Sequence, residues 1–191
     1  MIIGITGGSG CGKTTLLNHI RDAGGVVLDC DAIYHELLAS DDALLSAIEE
    51  RFPGTVKNGI LDRKKLGSIV FADKGALLDL NRITHGAVRQ EVLRRLAAGP
   101  RLAAIDAIGL FEGGLAELCD VTVAVTAPEE QRIRRLMKRD SISEEYARSR
   151  IAAQRSQDWF RSHCDRTLDN PDDFQSFSTK CLDFLKSLDI M

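Results

Sequence analysis

Gly7-Gly8-Ser9-Gly10-Cys11-Gly12-Lys13-Thr14-Thr15 decides the reading of this chain. It fits G-x-x-x-x-G-K-[ST], the phosphate-binding P-loop. Its glycines let the backbone take positive φ and bring a run of N–H donors to one anion. Lys13 can reach the outer phosphates as a point charge, and the Thr14 hydroxyl can ligate Mg²⁺. The flanks agree. Residues 1–5 form a short apolar run that reads as a buried strand, and residues 13–23 read as a helix with Leu16, Leu17 and Ile20 toward a sheet. A phosphate held between the two sits on the helix N-terminus, where orphan amides and the dipole favour negative charge. A glycine-rich turn that binds nothing would not need this order of strand, loop and helix.

At 191 residues the chain is long enough for one domain with insertions and a full core. A net charge of −3 argues against a protein built mainly to hold nucleic acid. The N-terminus carries no basic, apolar leader, so neither a signal peptide nor a membrane span is expected. Five cysteines without a C-x-x-C spacing point to reduced thiols in a cytoplasmic protein rather than to a zinc site.

Residues 26–29 read as a second strand, followed by Asp29-Cys30-Asp31. In parallel α/β sheets ligands gather at the carboxyl ends of strands, so these acids are candidates for the phosphate side. Either could instead cap the helix expected at 32–38. From 40 to 99 the texture is helical: 42–52, a helix capped by Asp62 and running to 70, and a long stretch from 73 to about 98 that could break near Thr84-His85-Gly86. Pro53-Gly54 and Asn58-Gly59 mark a loop or tight hairpin. This is more helix than a crossover needs, and it reads as an insertion forming one wall of a substrate site. His85, Arg89 and Glu91 are its polar residues of interest; Arg89 could clamp a substrate phosphate, or all three could lie on a solvated face.

Residues 102–106 form the next strand, ending in Asp106, which is either a Walker-B-like carboxylate or a cap. Leu110-Phe111-Glu112-Gly113-Gly114 leads to a short helix at 115–118, and 121–125 is a continuous β-branched strand. The helix after Pro128 carries Arg132, Arg135 and Arg139 on one face, solvated or closing over a transferred phosphoryl group. Ser141-Ile142-Ser143-Glu144 resembles a capping box for a helix reaching about 159, so two cationic helices joined by a short turn read as a lid. Residues 166–170 are a last strand, and 172–188 an amphipathic helix. Five apolar strands alternating with helices give an α/β fold with a five-stranded parallel sheet, beside which stand the helical insertion, read as substrate-binding, and the helical lid.

With these residues in order, the chain resembles the dephospho-CoA kinases. The resemblance rests on Ile5 to Thr15, Leu28-Asp29-Cys30-Asp31, His85…Arg89…Glu91, Leu110-Phe111-Glu112, Arg135-Leu136-Met137-Lys138-Arg139-Asp140, Arg150-Ile151-Ala152-Ala153-Gln154 and Leu168-Asp169-Asn170. It implies a nucleotide-binding core at 1–31, 100–134 and 164–191, a CoA-binding domain at 32–99 and a lid at 135–163. It also implies transfer of the ATP γ-phosphoryl group to the 3′-hydroxyl of dephospho-CoA, the last step of coenzyme A synthesis, with Mg²⁺ and small-molecule substrates, as a monomer or homo-oligomer. Asp31 matches the acid that takes the hydroxyl proton. Gly8, Ser9, Gly10, Cys11, Gly12, Lys13, Thr14 and Thr15 match the phosphate loop, with Thr14 on the metal. Arg139 matches a lid arginine on the ATP phosphates and Asn170 a residue beside the adenine. Thr6, His85 and Arg89 match substrate-side positions. The family usually has His-Pro where this chain has His85-Gly86, and a Pro-Leu-Leu run where it has Ile108-Gly109-Leu110. A nucleoside or nucleoside-monophosphate kinase shares the loop, lid and strand-end acid. A nucleotide-dependent switch would bind nucleotide without acceptor dependence.

Overall fold

The computed structural model describes residues 1–170 and 173–190. Two compact units emerge: residues 1–28, 100–110 and 115–191, and residues 29–99 with 111–114.

The first unit is organised on strands β1 (Ile2–Thr6), β2 (Val26–Asp29, whose last residue opens the second unit), β5 (Ala103–Asp106), β6 (Val121–Thr126) and β7 (Arg166–Asp169), in the order β2-β5-β1-β6-β7. The pairings of β1 with β5 and β6, and of β6 with β7, are parallel. The central strands are buried along nearly their whole length because both faces are covered, which is why 121–126 carries no charged residue and does not alternate between apolar and charged side chains. Register pairs Ile5 with Asp106 and Thr6 with Ala124, so the carboxyl ends of three strands meet where the phosphate loop begins.

Helix α1 (Lys13–Asp22) packs Leu16, Leu17 and Ile20 on that sheet, together with α9 (Phe174–Ser187), which contributes Phe177, Cys181, Phe184 and Leu185. Each such side chain contributes about 1.5–3 kcal/mol on burial. The expected start of α9 at Asp172 falls outside the described residues; the observed helix is capped by Asp173. Between β6 and β7 run α6 (Glu129–Asp140), α7 (Glu144–Ala152) and α8 (Gln157–His163). The sequence predicts one helix from 144 to about 159. Two form instead, because the Ser156 hydroxyl accepts from the Trp159 amide and starts a new N-terminus. The cap of α7 is Ser143, which accepts from the Tyr146 amide, and not Ser141, which ends α6 in a left-handed conformation.

The second unit holds α2 (Cys30–Ser40), α3 (Asp42–Arg51), α4 (Arg63–Val70) and α5 (Lys74–Leu96) around a core of Leu38, Leu44, Leu45, Ile48, Phe52, Leu66, Val70 and Ala76. Asn58-Gly59, both at positive φ, close a tight hairpin between β3 (Val56–Lys57) and β4 (Ile60–Leu61). The break expected near Gly86 does not occur: α5 runs 23 residues through it. A lone interior glycine costs a helix only about 1 kcal/mol relative to alanine, less than the packing of α5 against α2, α3 and α4 supplies. A Cβ at Gly86 would meet nothing within 4 Å. Gly86→Ala is therefore expected to stabilise the protein by about 0.5–1 kcal/mol. Denaturant unfolding checks this; a lower midpoint would show that Gly86 is needed for something other than helix formation. Among the described residues no helix is long and apolar enough to cross a membrane.

Candidate active site

The first unit carries the phosphate loop between β1 and α1. Gly12 caps α1 at φ 96°, a left-handed conformation that a side chain would strain, and its Cβ position lies 2.2 Å from Asn170 Nδ2. Gly8 is required for a different reason: a Cβ there would stand 2.2 Å from Arg132 Nη2. Lys13 Nζ donates to the Gly7 carbonyl at 3.0 Å and lies 3.9 Å from Asp106 Oδ1, so the ammonium is held at the mouth of the loop. Thr14, in the first turn of α1, is exposed, and the Thr15 amide donates to the Gly12 carbonyl at 3.1 Å. Thr6 is fully buried at the end of β1, its hydroxyl donating to the Ile108 carbonyl at 3.1 Å. Cys11 is also fully buried, and burial pushes its thiol pKa up, opposed by Arg132 and Lys13.

The arginine face of α6 divides. Arg132 is 3% exposed, which removes the solvated-face reading for this residue. Its Nε donates to the Ser9 carbonyl at 2.9 Å and its Nη2 to Gln154 Oε1 at 3.1 Å. Gln154 in turn accepts from the Ser9 amide at 2.9 Å and donates to Ser9 Oγ at 2.7 Å. Arg135 Nη1 donates to the Gly10 carbonyl at 3.2 Å. Asn170, 5% exposed at the end of β7, donates to the Cys11 carbonyl at 2.7 Å. Arg139 is turned elsewhere: it makes a two-pronged contact with Asp140 at 2.6 and 2.9 Å, and Arg150 reaches the same carboxylate at 2.6 Å. The Arg139 and Arg150 hydrogen bonds hold the Asp140 carboxyl well below the usual carboxylate range.

In the second unit Asp29 caps α2, its Oδ1 accepting from the Asp31 and Ala32 amides, both at 3.0 Å. That assigns the capping role left open between the two acids. Asp31 stands exposed in the first turn of α2. His85 and Arg89, one helical turn apart on α5, are half-buried, and Arg89 Nε donates to the Gly114 carbonyl at 3.3 Å. Glu91 does not join them. It pairs with Arg94 and Arg95, and their hydrogen bonds bring its carboxyl from 4.5 to about 2.

A folded-state pKa below the unfolded one gives stability that is present above the ordinary value and lost as pH falls toward the depressed one. The Tm difference between parent and Glu91→Gln is therefore expected to be full at neutral pH and to shrink between about pH 4.5 and 2. A difference independent of pH would contradict the ion pairs as its source.

A family model described as dephospho-CoA kinase matches residues 1–175. The chain belongs to the dephospho-CoA kinase family. A dephospho-CoA kinase from Bacillus licheniformis is 36% identical over 176 residues, spanning 89% of this chain and 88% of the relative. Among solved structures, a protein from Thermus thermophilus superposes with a TM-score of 0.83 at 31% identity, covering 98% of this chain and 96% of the other. Dephospho-CoA kinase from Campylobacter jejuni gives 0.68 at 25% identity over the same shares. The chain is thus an ATP-using kinase of coenzyme A biosynthesis, with a P-loop kinase fold.

Two features of this family member were not resolved by its sequence. Gln154 carried a motif but no role, and the division of the arginine face into buried and exposed members is invisible to spacing alone. The signal for Arg132 was indirect. It lies at i−3 and i−7 from Arg135 and Arg139, and next to Ile133, whose burial at 2% turns that side of α6 inward.

Proposed function

We propose that this kinase transfers the ATP γ-phosphoryl group in line to the ribose 3′-hydroxyl of dephospho-CoA, giving CoA and ADP. The observation that carries the reading is the phosphate loop, with Lys13 held between the Gly7 carbonyl and Asp106. Such transfer needs positioning and charge stabilisation more than covalent chemistry. Residues 7–15 hold the phosphates, with Lys13 as their point charge. Arg139 leaves Asp140 to meet the charge of the nucleotide, and Asn170 serves the ATP side. Thr6, His85 and Arg89 serve the acceptor side. Asp31 accepts the 3′-hydroxyl proton; the cap geometry supports it over Asp29, whose carboxylate is committed to α2.

The donor set fits Mg²⁺, which takes hard oxygen ligands and usually keeps several waters beside substrate phosphates. The exposed Thr14 hydroxyl and the Asp106 carboxylate at the end of β5 would hold it, directly or through water. When bound it supplies neutralisation of the phosphate charge.

Residues 1–31, 100–134 and 164–191 form the nucleotide-binding core in this reading, 32–99 the CoA-binding domain and 135–163 the lid. Its partners are the small molecules ATP and dephospho-CoA. A cytoplasmic location fits the five cysteines, all of them free thiols. ³¹P NMR of the product tests the chemistry: phosphate on the 3′-oxygen is expected, and phosphorylation at another position would overturn the acceptor assignment.

A further inference from the structure

Three consecutive carbonyls of the phosphate loop are each held by a side chain of the same unit. The Ser9 carbonyl accepts from Arg132 at 2.9 Å, the Gly10 carbonyl from Arg135 at 3.2 Å and the Cys11 carbonyl from Asn170 at 2.7 Å. Two of the three donors are linked to each other, and the third is tied to the loop a second time through Gln154. Arg135 Nη2 donates to Asn170 Oδ1 at 3.4 Å, and Arg132 shares Gln154 Oε1 with the Ser9 amide. No cis peptide bond occurs among the described residues. In a trans peptide the C=O and the following N–H point in opposite directions. A carbonyl fixed toward α6 and β7 therefore turns the next amide away from them. Fixing Ser9 and Cys11 in this way turns the N–H groups of Gly10 and Gly12 to the other side of the loop. The Cys11 amide is used within the loop, donating to the Gly8 carbonyl at 3.2 Å.

We propose that Arg132, Arg135 and Asn170 are positioning residues of the phosphoryl-transfer reaction. By holding the carbonyls of Ser9, Gly10 and Cys11 they aim the loop's amides at the nucleotide's phosphates, and they act through the loop without touching the base. The arrangement rests on the kinase reading above and assigns to it how the anion cradle is preorganised. An amide already aimed at the phosphate costs no reorganisation when charge develops there. It also explains why the loop needs glycine at 8 and 12: the tethers approach to within 2.2 Å of where a Cβ would stand.

Inorganic tripolyphosphate separates positioning from contact with the adenine, because it carries the phosphates and no base. In Asn170→Ala, and in Arg135→Leu should the first variant fold poorly, the dissociation constants of MgATP and Mg-tripolyphosphate are expected to rise by the same factor, about tenfold. The KM for dephospho-CoA is expected to stay at the parent value, while the Tm without ligand falls modestly, as the loss of a buried hydrogen bond to the Cys11 carbonyl requires. Weakened MgATP with unchanged tripolyphosphate would overturn the proposal in favour of a contact to the base. So would no change in either ligand, or an equal loss that includes dephospho-CoA, the pattern of general damage to the fold. A parent chain that does not turn over dephospho-CoA would instead undo the kinase reading, an outcome visible before any variant is made.

Discussion

Asp31→Asn is expected to lower kcat by a factor of about 10² to 10⁴, the usual contribution of a positioned general base, while MgATP affinity stays at the parent value. The substitution keeps the shape of the side chain and removes only its capacity to take the 3′-hydroxyl proton. Helix α2 does not depend on it, since both capping hydrogen bonds go to Asp29 Oδ1. Asp29→Ala provides the opposite signature: loss of the cap costs about 1 kcal/mol of stability without removing the base. Steady-state kinetics with a nucleotide-binding titration checks both variants. Comparable kcat values for Asp31→Asn and the parent would remove Asp31 from the mechanism.

Lys13→Ala is expected to lower MgATP affinity and kcat together. Lys13 is the cation at the loop mouth, and its loss removes stabilisation from the bound triphosphate and from the charge that builds during transfer. It also removes the counter-charge 3.9 Å from Asp106, a carboxylate with 17% of its side chain exposed, so repulsion between that group and the phosphates adds to the loss. Isothermal titration with MgADP and rapid-quench kinetics separate the two effects. Unchanged nucleotide affinity would contradict the role given to Lys13.

The parallel sheet, the phosphate loop and the helical character of the insertion after β2 were legible because each rests on a local signal: apolar runs, glycine spacing, and a cap such as Asp62, which accepts from the Lys65 amide. What escaped was set by tertiary contact. Gly86 signals a break only where packing does not outweigh its propensity, and α5 packs along its length. The two serines around residue 142 are equivalent in sequence, and the left-handed end of α6 selects Ser143. Within the site, spacing placed three arginines on one face of α6. Their separate partners, the Ser9 carbonyl, the Gly10 carbonyl and Asp140, depend on which turn of that helix faces the loop. Asn170 was legible as a position and not as a contact, because its partner Cys11 is far away in sequence.

The most direct test of the central claim is ADP release from MgATP with dephospho-CoA as acceptor, run beside a panel of nucleosides and nucleoside monophosphates. Strong stimulation by dephospho-CoA alone, with CoA as the product, is the predicted result. Stimulation by a nucleoside or nucleotide in its place would contradict it, leaving the fold and the phosphate loop intact but giving the helical second unit a different acceptor.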